Sequence, residues 1–458
     1  MDGVIPISLP SQPNLMPDQP AILTQRFILR FWSPLAVMWI TMAIEQPLLA
    51  GVIARMPEPK LQLAAFGITF TMALLIESPI IMLLSASTAL VKGRQSYGQL
   101  LRFTTLLSVA LTAFHLLVTL TPLFNWFVGD VVGAPPELIP SARLALLLMT
   151  PWSAAVAYRR MWQGVMIRFG LTDQVGVTNI LRLAATAVVV LGGMMRGVLP
   201  GAALAGLSLS CGVVMGAAAA WWYARPLLAN QLCQLEPPDQ QISMQYLVHF
   251  YTPLALSNII NFAAGPVLTL GLSRSLLPLE SLALWPVVSS LSFLWRSLGF
   301  AYQDVVVALL HDSDSLTVLR RFAFILAAIL SSTILVIGLS PLNHVWYGRI
   351  SGLTPDLVAL ANLPTILISL TPALSVLVAL NRGILVHTRH TRPVSVAVAI
   401  NVTVLLLVML LGPTWLPWPG VVLASLAFTL ASLAEVAYLR TQTKVVYLAA
   451  SQLDAAPA

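Results

Sequence analysis

The chain repeats itself at an offset of 219 residues, and both copies are strings of long apolar segments. Phe31-Trp32-Ser33-Pro34-Leu35-Ala36 opens the first segment and Phe250-Tyr251-Thr252-Pro253-Leu254-Ala255 opens the seventh. Pro34 and Pro253 differ by 219, as do Pro47 and Pro266, Gly164 and Gly383, and Gly201 and Gly420. Self-similarity at one fixed period means that a single structural unit has been used twice. Apolar repeats of this kind predict two related helical bundles with a site between them.

Of the 458 residues, 58% are hydrophobic and 9% charged, where a soluble domain carries about a quarter charged residues. So few charges cannot cover a globule in water, and the apolar runs reach the roughly 20 residues that a helix needs to cross a bilayer. The reading is an all-α integral membrane protein with twelve transmembrane helices in two parallel six-helix repeats. The segments fall near 28–53, 61–91, 98–123, 136–163, 171–195, 199–224, 245–272, 278–307, 318–341, 355–382, 393–412 and 417–440. The longest polar break runs from Arg225 to Ser243. The chain then divides into a flexible N-terminal tail (1–26), a first lobe (27–225), a linker (226–243), a second lobe (244–440) and a C-terminal tail (441–458).

The net charge of +7 is not spread like a nucleic-acid footprint. With the N-terminus placed in the cytoplasm, sixteen basic residues fall on the cytoplasmic side and six on the outer side. That bias predicts an inner or plasma membrane protein with both termini cytoplasmic. No nucleic-acid partner is expected; the lipid bilayer is. The clusters Arg159-Arg160 through Arg168, and Arg382 through Arg389, are read as the cytoplasmic ends of the fourth helix of each repeat, either anchoring to anionic lipid or gating a substrate. The proline-rich leader lacks the basic start of a secretory signal, and Cys211 and Cys233 are read as free thiols. No Gly-Lys-Ser/Thr phosphate loop, Ser/His/Asp set or metal cluster is present, so the chain is not read as an enzyme and no cofactor is expected beyond H⁺ or Na⁺ as a coupling ion.

Two parallel six-helix repeats with a proline early in the first and seventh helices resemble the multidrug/oligosaccharidyl-lipid/polysaccharide (MOP) exporter superfamily. The entry to the fourth helix, Gly133-Ala134-Pro135-Pro136-Glu137-Leu138, and that to the last, Trp418-Pro419-Gly420-Val421, are similar to entries common there. Within it, Ile44-Glu45-Gln46-Pro47 with Gly51-Val52-Ile53-Ala54 and Leu63-Ala64-Ala65-Phe66-Gly67 resembles the first two helices of the progressive ankylosis (ANK) family. That resemblance implies export of small multivalent anions. A more distant resemblance to the drug-extruding MATE branch implies an acidic residue in the first helix for cation coupling, and Glu45 lies near that place.

An ionised side chain at bilayer depth costs about 2.5–3.5 kcal/mol on insertion scales, so each one calls for a reason. Glu45, Glu77, Arg182 and Arg296 stand out. Glu77 and Arg296 also differ by 219, so the repeat predicts an acid and a base facing each other across the central cleft. They either hold a closed state together, or Arg296 takes an anionic substrate while Glu77 competes for it and accepts a proton. Glu45 stands beside Pro47, which frees a backbone carbonyl, and is read either as an ion-coupling acid or as a satisfied structural one. Gln46, Asn258 and Asn261 are read as polar lining or interhelical glue. Arg182 is read as snorkelling to the interface or binding substrate. The expected function is secondary active export of a small organic or phosphorylated anion by a monomer. The alternatives are a flippase for a lipid-linked saccharide and a MATE-like multidrug exporter.

Overall fold

The computed structural model describes residues 23–169, 171–230, 243–310, 313–388 and 392–454. Among them the chain is helical, with one isolated extended bridge between Leu276 and Pro419. In the first half, α1 (Gln25–Ala43) and α2 (Glu45–Ile53) form one bent helix, broken where Pro47 cannot donate to the backbone. Next come α3 (Pro59–Glu77), α4 (Leu83–Leu90), α5 (Arg94–Leu120), α6 (Leu123–Asn125), α7 (Ile139–Leu148), α8 (Thr150–Arg168), α9 (Thr172–Arg196) and α10 (Gly201–Asn230). The second half holds α11 (Met244–Ser273), α12 (Pro278–Leu309), α13 (Ser313–Leu339), α14 (Pro355–Ile368), α15 (Thr371–His387), α16 (Arg392–Trp415) and α17 (Gly420–Asp454). Among the described residues, ten helices are long and apolar enough to cross a membrane, which makes the chain an integral membrane protein. α11 and α12, at 30 and 32 residues, are each roughly 45 Å long.

Two boundaries differ from expectation. α17 runs on to Asp454 rather than ending near Arg440, because residues 441–454 contain no glycine or proline to stop it. α10 likewise continues through Pro226 to Asn230. The tail at 1–22 and the linker core at 231–242 lie outside the described residues.

The 219-residue offset recurs in the backbone. Glu58 and Leu277 adopt the left-handed conformation, with φ of 54° and 52°, at the starts of α3 and α12. Such a conformation costs a non-glycine residue about 1–2 kcal/mol, so its recurrence at equivalent points reflects a shared geometry. Gly133 and Gly352 both have φ of 73° after a π-helical stretch, where glycine avoids that cost. The matched glycines are close approaches between helices. A Cβ on Gly164 would meet the Leu84 carbonyl and Ser87, and one on Gly383 would meet Val306 and the Gln303 carbonyl, which are the residues 219 further on. Helix pairs in lipid pack through such small residues, because water does not drive them together.

The halves meet where α3 crosses α12. A Cβ on Gly67 would lie 2.9 Å from Cγ of its own equivalent, Pro286, so the pseudo-twofold axis passes through this contact. Leu63, Phe66, Leu284 and Leu291 are buried in one core shared by both halves. Further ties lie at both ends. At the end carrying the chain termini, Trp32 Nε1 donates to the Leu298 carbonyl at 3.2 Å, Gln25 Nε2 to the Val318 carbonyl at 2.8 Å, and Tyr251 Oη to the Pro79 carbonyl. At the opposite end Lys60 pairs with Asp356, Arg55 Nη2 donates to the Ile350 carbonyl at 2.6 Å, and Ser273 Oγ donates to the Val132 carbonyl at 2.5 Å.

Candidate functional site

The charged residues form two separate polar centres, one in each half. In the first half, Glu45 opens α2 just past the bend and is buried. Arg182 Nη1 lies 2.5 Å from Glu45 Oε2, and Thr186 Oγ1 donates to Oε1 at 3.0 Å. Arg182 therefore does not snorkel. It stands ten residues into α9, about 15 Å from the helix start, and is buried inside the bundle. The carboxylate expected as an ion site is instead held by a guanidinium and a hydroxyl. Gln46 is half-buried in the same turn.

Glu77 ends α3 and accepts a hydrogen bond from the Trp152 indole of α8. Arg160, Arg159 and Arg182 lie within its electrostatic reach. Arg159 and Arg160 are nine and eight residues before the end of α8, about 12–14 Å inside it, while Arg168 of the same cluster stands in its last turn. Arg159 is buried and donates to Asn179 Oδ1 at 3.3 Å. Gly216 leaves room for Arg159 and Arg182, since a Cβ there would lie 3.1 and 3.2 Å from their side chains.

In the second half, Arg296 of α12 lies over the rings of Phe300 and Phe428, with centroids at 5.6 and 5.8 Å. No ion pair joins it to Glu77. The reason is the crossing at Gly67 and Pro286: both residues lie ten positions beyond it, about 15 Å along their helices. Past the crossing, α1 packs against α12, and α11 packs against the turn after α3, and each charge turns into its own half. Arg382 of α15 pairs with Glu435 of α17, and Asn401 of α16 donates to the other Glu435 oxygen at 2.9 Å.

Arg296, Arg382, Glu435 and Asn401 line a cavity of about 400 Å³ together with Trp39 of α1 and Asp304 of α12. Its walls carry two arginines and two carboxylates, yet several donor atoms are unmatched. Arg296 Nε, Arg382 Nε and Trp39 Nε1 are buried without a hydrogen-bond partner. Among the described residues no carboxylate lies within ion-pair distance of Arg296, Arg159 or Arg160. A buried donor left unmatched costs about 1–3 kcal/mol, more when charged, and an anion entering the cavity would relieve that cost.

No protein-family model matches the chain, and no curated protein matches it. Solved structures do. An inward-facing multidrug resistance MATE family transporter of the MOP superfamily superposes with a TM-score of 0.66 at 13% identity, covering 90% of this chain and 99% of that one. The lipid II flippase MurJ, in an inward closed conformation, gives 0.67 at 13% identity over 91% and 87%. An outward-facing MATE family transporter gives 0.56 at 14% identity over 92% and 96%. The fold is that of the MOP transporters.

On this MOP-type scaffold, the sequence-expected residues are dispersed rather than gathered in one cleft. Glu45 and Arg182 meet, Glu77 stays in the first half, and Arg296 stays in the second. Asn258 is half-buried in α11 with its Nδ2 unpartnered, and the side chain of Asn261 lies outside the described residues. Trp39, Asn401 and Trp152 belong to the polar centres without having been selected from the sequence, while Arg382 was read only as part of a cytoplasmic cluster and Glu435 only as an interfacial acid. Glu435 had a legible signal, an acid fifteen residues into an apolar helix that starts at Gly420. Trp39 and Trp152 had none, since a tryptophan in a membrane helix reads as packing.

Proposed function

We propose that this protein is a secondary active transporter that carries a small organic or phosphorylated anion outwards by alternating access between its two halves. The observation that carries this reading is Arg296, a buried guanidinium without a carboxylate partner, on the wall of a cavity where Trp39 Nε1 and Arg382 Nε are also unmatched. The surplus of arginine over carboxylate in the first half, Arg159, Arg160 and Arg182 against Glu45 and Glu77, supports the same sign of substrate. A MATE-like extruder of cationic drugs would face Arg296 and Arg382 as repulsive groups.

The reading includes twelve spans in two parallel repeats, both termini in the cytoplasm, a monomer, and the tail, lobe and linker divisions given above. Kinship with the ANK family rests on the first two helices and agrees with an anionic substrate. Glu77 is the coupling acid in this reading, with H⁺ or Na⁺ as the ion. Glu45 couples only when its pair with Arg182 opens. Arg296 and Arg182 bind substrate, with Gln46, Asn258 and Asn261 as polar lining. Superposition on a lipid II flippase favours a second reading, in which the anion is the headgroup of a lipid-linked saccharide.

The test is a profile of small anions released by cells that express the wild type, Arg296→Gln or Arg296→Lys at matched levels. The expected result is an anion enriched outside only with the wild type, partly retained by the lysine variant. Loss of a charged hydrogen bond of about 1.5–3 kcal/mol would lower substrate affinity roughly ten- to a hundredfold. Identical profiles from folded proteins would sink the small-anion reading and leave the flippase, which is then tested with a fluorescent lipid-linked pyrophosphate in proteoliposomes.

A further inference from the structure

A second basic cavity, distinct from the Arg296 site, lies on the other side of α15 and α17. It holds about 340 Å³ where α13 and α17 flank α15. Its floor contains the buried side chains of Leu380, Val436 and Asn381, and Asn381 Oδ1 accepts from Thr443 Oγ1 at 2.8 Å. Its rim carries Arg320 of α13 with Arg440 and Lys444 of α17.

The order of side chains along the two flanking helices is the informative feature. Phe324, 60% exposed, follows Arg320 by four residues on α13, and Val436 precedes Arg440 by four residues on α17. Residues four apart share a helix face. The spans alternate in direction, so on both helices the cation stands about 6 Å nearer the terminal end than its apolar partner. A cationic rim continued by an apolar wall that faces lipid fits a headgroup with its acyl chains. A free anion would gain nothing from the wall.

We propose that this crevice binds an anionic phospholipid, with the phosphate among Arg320, Arg440 and Lys444 and an acyl chain along Phe324 and Val436. Basic pockets between membrane helices near the surface are suited to this role. The site also backs onto the polar centre of the second half. Asn381 and Val436 line the crevice, while their chain neighbours Arg382 and Glu435 form the ion pair of that centre. A lipid seated in the crevice braces the two turns that hold that pair. The proposal does not depend on the transport reading.

The test is native mass spectrometry of the delipidated full-length protein titrated with phosphatidylglycerol or phosphatidylcholine of identical acyl chains. Phosphatidylglycerol is expected to be retained preferentially by the wild type. A near-surface basic side chain is worth roughly fivefold in affinity for an anionic lipid, so Arg440→Gln with Lys444→Gln should cost roughly 25-fold, and Arg440→Lys should keep the preference. Equal retention of the two lipids, or a preference untouched by the double variant, overturns the proposal. Displacement of phosphatidylglycerol by inorganic pyrophosphate binding with equal strength also overturns it, in favour of a free anion. If the double variant does not fold, a photoreactive phosphatidylglycerol decides on the wild type: labelling confined to residues 320–324 and 436–444 supports the site, and labelling elsewhere removes it.

Discussion

Trp32 and Tyr251 are equivalent residues of the two halves, and each donates a hydrogen bond to the backbone of the other half. Trp32 Nε1 reaches the Leu298 carbonyl and Tyr251 Oη the Pro79 carbonyl, and those two acceptors are themselves 219 apart. The pair forms a twofold latch at the end of the bundle that carries the termini. Such a bond contributes about 0.5–1.5 kcal/mol net. Trp32→Phe or Tyr251→Phe should therefore shift the population toward a conformer open at that end by roughly two- to tenfold. Ser375 of α15 also lines the Arg296 cavity, and the rate of thiol labelling at a Ser375→Cys reporter, with both native cysteines replaced, measures the shift. Unchanged labelling in both variants would remove the latch from the cycle.

The opposite end should respond in the opposite sense. Lys60 and Asp356 pair across the halves at its rim, where both are partly exposed, with 32% and 53% of their side chains accessible. An exposed pair contributes about 0.2–1 kcal/mol, so Lys60→Gln alone should have a small effect. A disulfide between Lys60→Cys and Asp356→Cys is a stronger test. Oxidation should stop substrate turnover and reductant should restore it, while binding from the terminal end persists. Full turnover in the oxidised protein would show that this end need not open.

Much of this architecture was legible in the sequence, and the landmarks show why. Gly164 and Gly383 were visible as a matched pair, and they are matched because each lets a helix approach within a few ångströms of the same partner positions. Helix identity was legible because lipid demands long apolar runs. Side-chain partners were not. The offset placed Glu77 and Arg296 at equivalent depth, but the crossing point lies at Gly67 and Pro286, and the sequence does not reveal where two helices cross. The start of α9 was legible, at 171 against Thr172, but Arg182 was misplaced because its partner Glu45 lies 137 residues away on α2, a contact that spacing along one helix does not reveal. Glu435 and Gly216 are also equivalents; one supplies a carboxylate and the other makes room for two arginines. The halves kept their backbone and diverged in their charges.

Those glycines give a stability prediction with an internal control. A Cβ on Gly164 would fall 2.4 Å from the Leu84 carbonyl, and one on Gly383 would fall 2.7 Å from Val306 Cβ. Gly164→Ala and Gly383→Ala should each destabilise the protein by about 1–3 kcal/mol through overpacking. Gly176, in α9, has nothing within 4 Å of its virtual Cβ. There the alanine gains helix propensity, and Gly176→Ala should be neutral or stabilising by up to about 1 kcal/mol. Thermal unfolding in detergent distinguishes the two classes. Equal midpoints for all three variants would contradict the close packing.

The Glu45–Arg182 pair separates a structural role from a coupling role. Both side chains are nearly inaccessible, 7% and 8% exposed, and removing one partner leaves the other charged and buried. Glu45→Gln or Arg182→Met alone should cost about 3–5 kcal/mol. The double variant Glu45→Gln/Arg182→Met should recover most of that loss, because replacing a whole buried pair by well-packed neutral groups is close to neutral. If the pair only holds α2 against α9, the double variant should transport as the wild type does. If opening of the pair couples the cycle to H⁺ or Na⁺, it should be stable and yet move substrate without the dependence on the ion gradient that the wild type shows. Unfolding midpoints and gradient-driven uptake, measured on the same proteoliposome preparations, read the two roles independently. A double variant as unstable as either single one would show that the site depends on its charges for packing, and would end the coupling argument at Glu45.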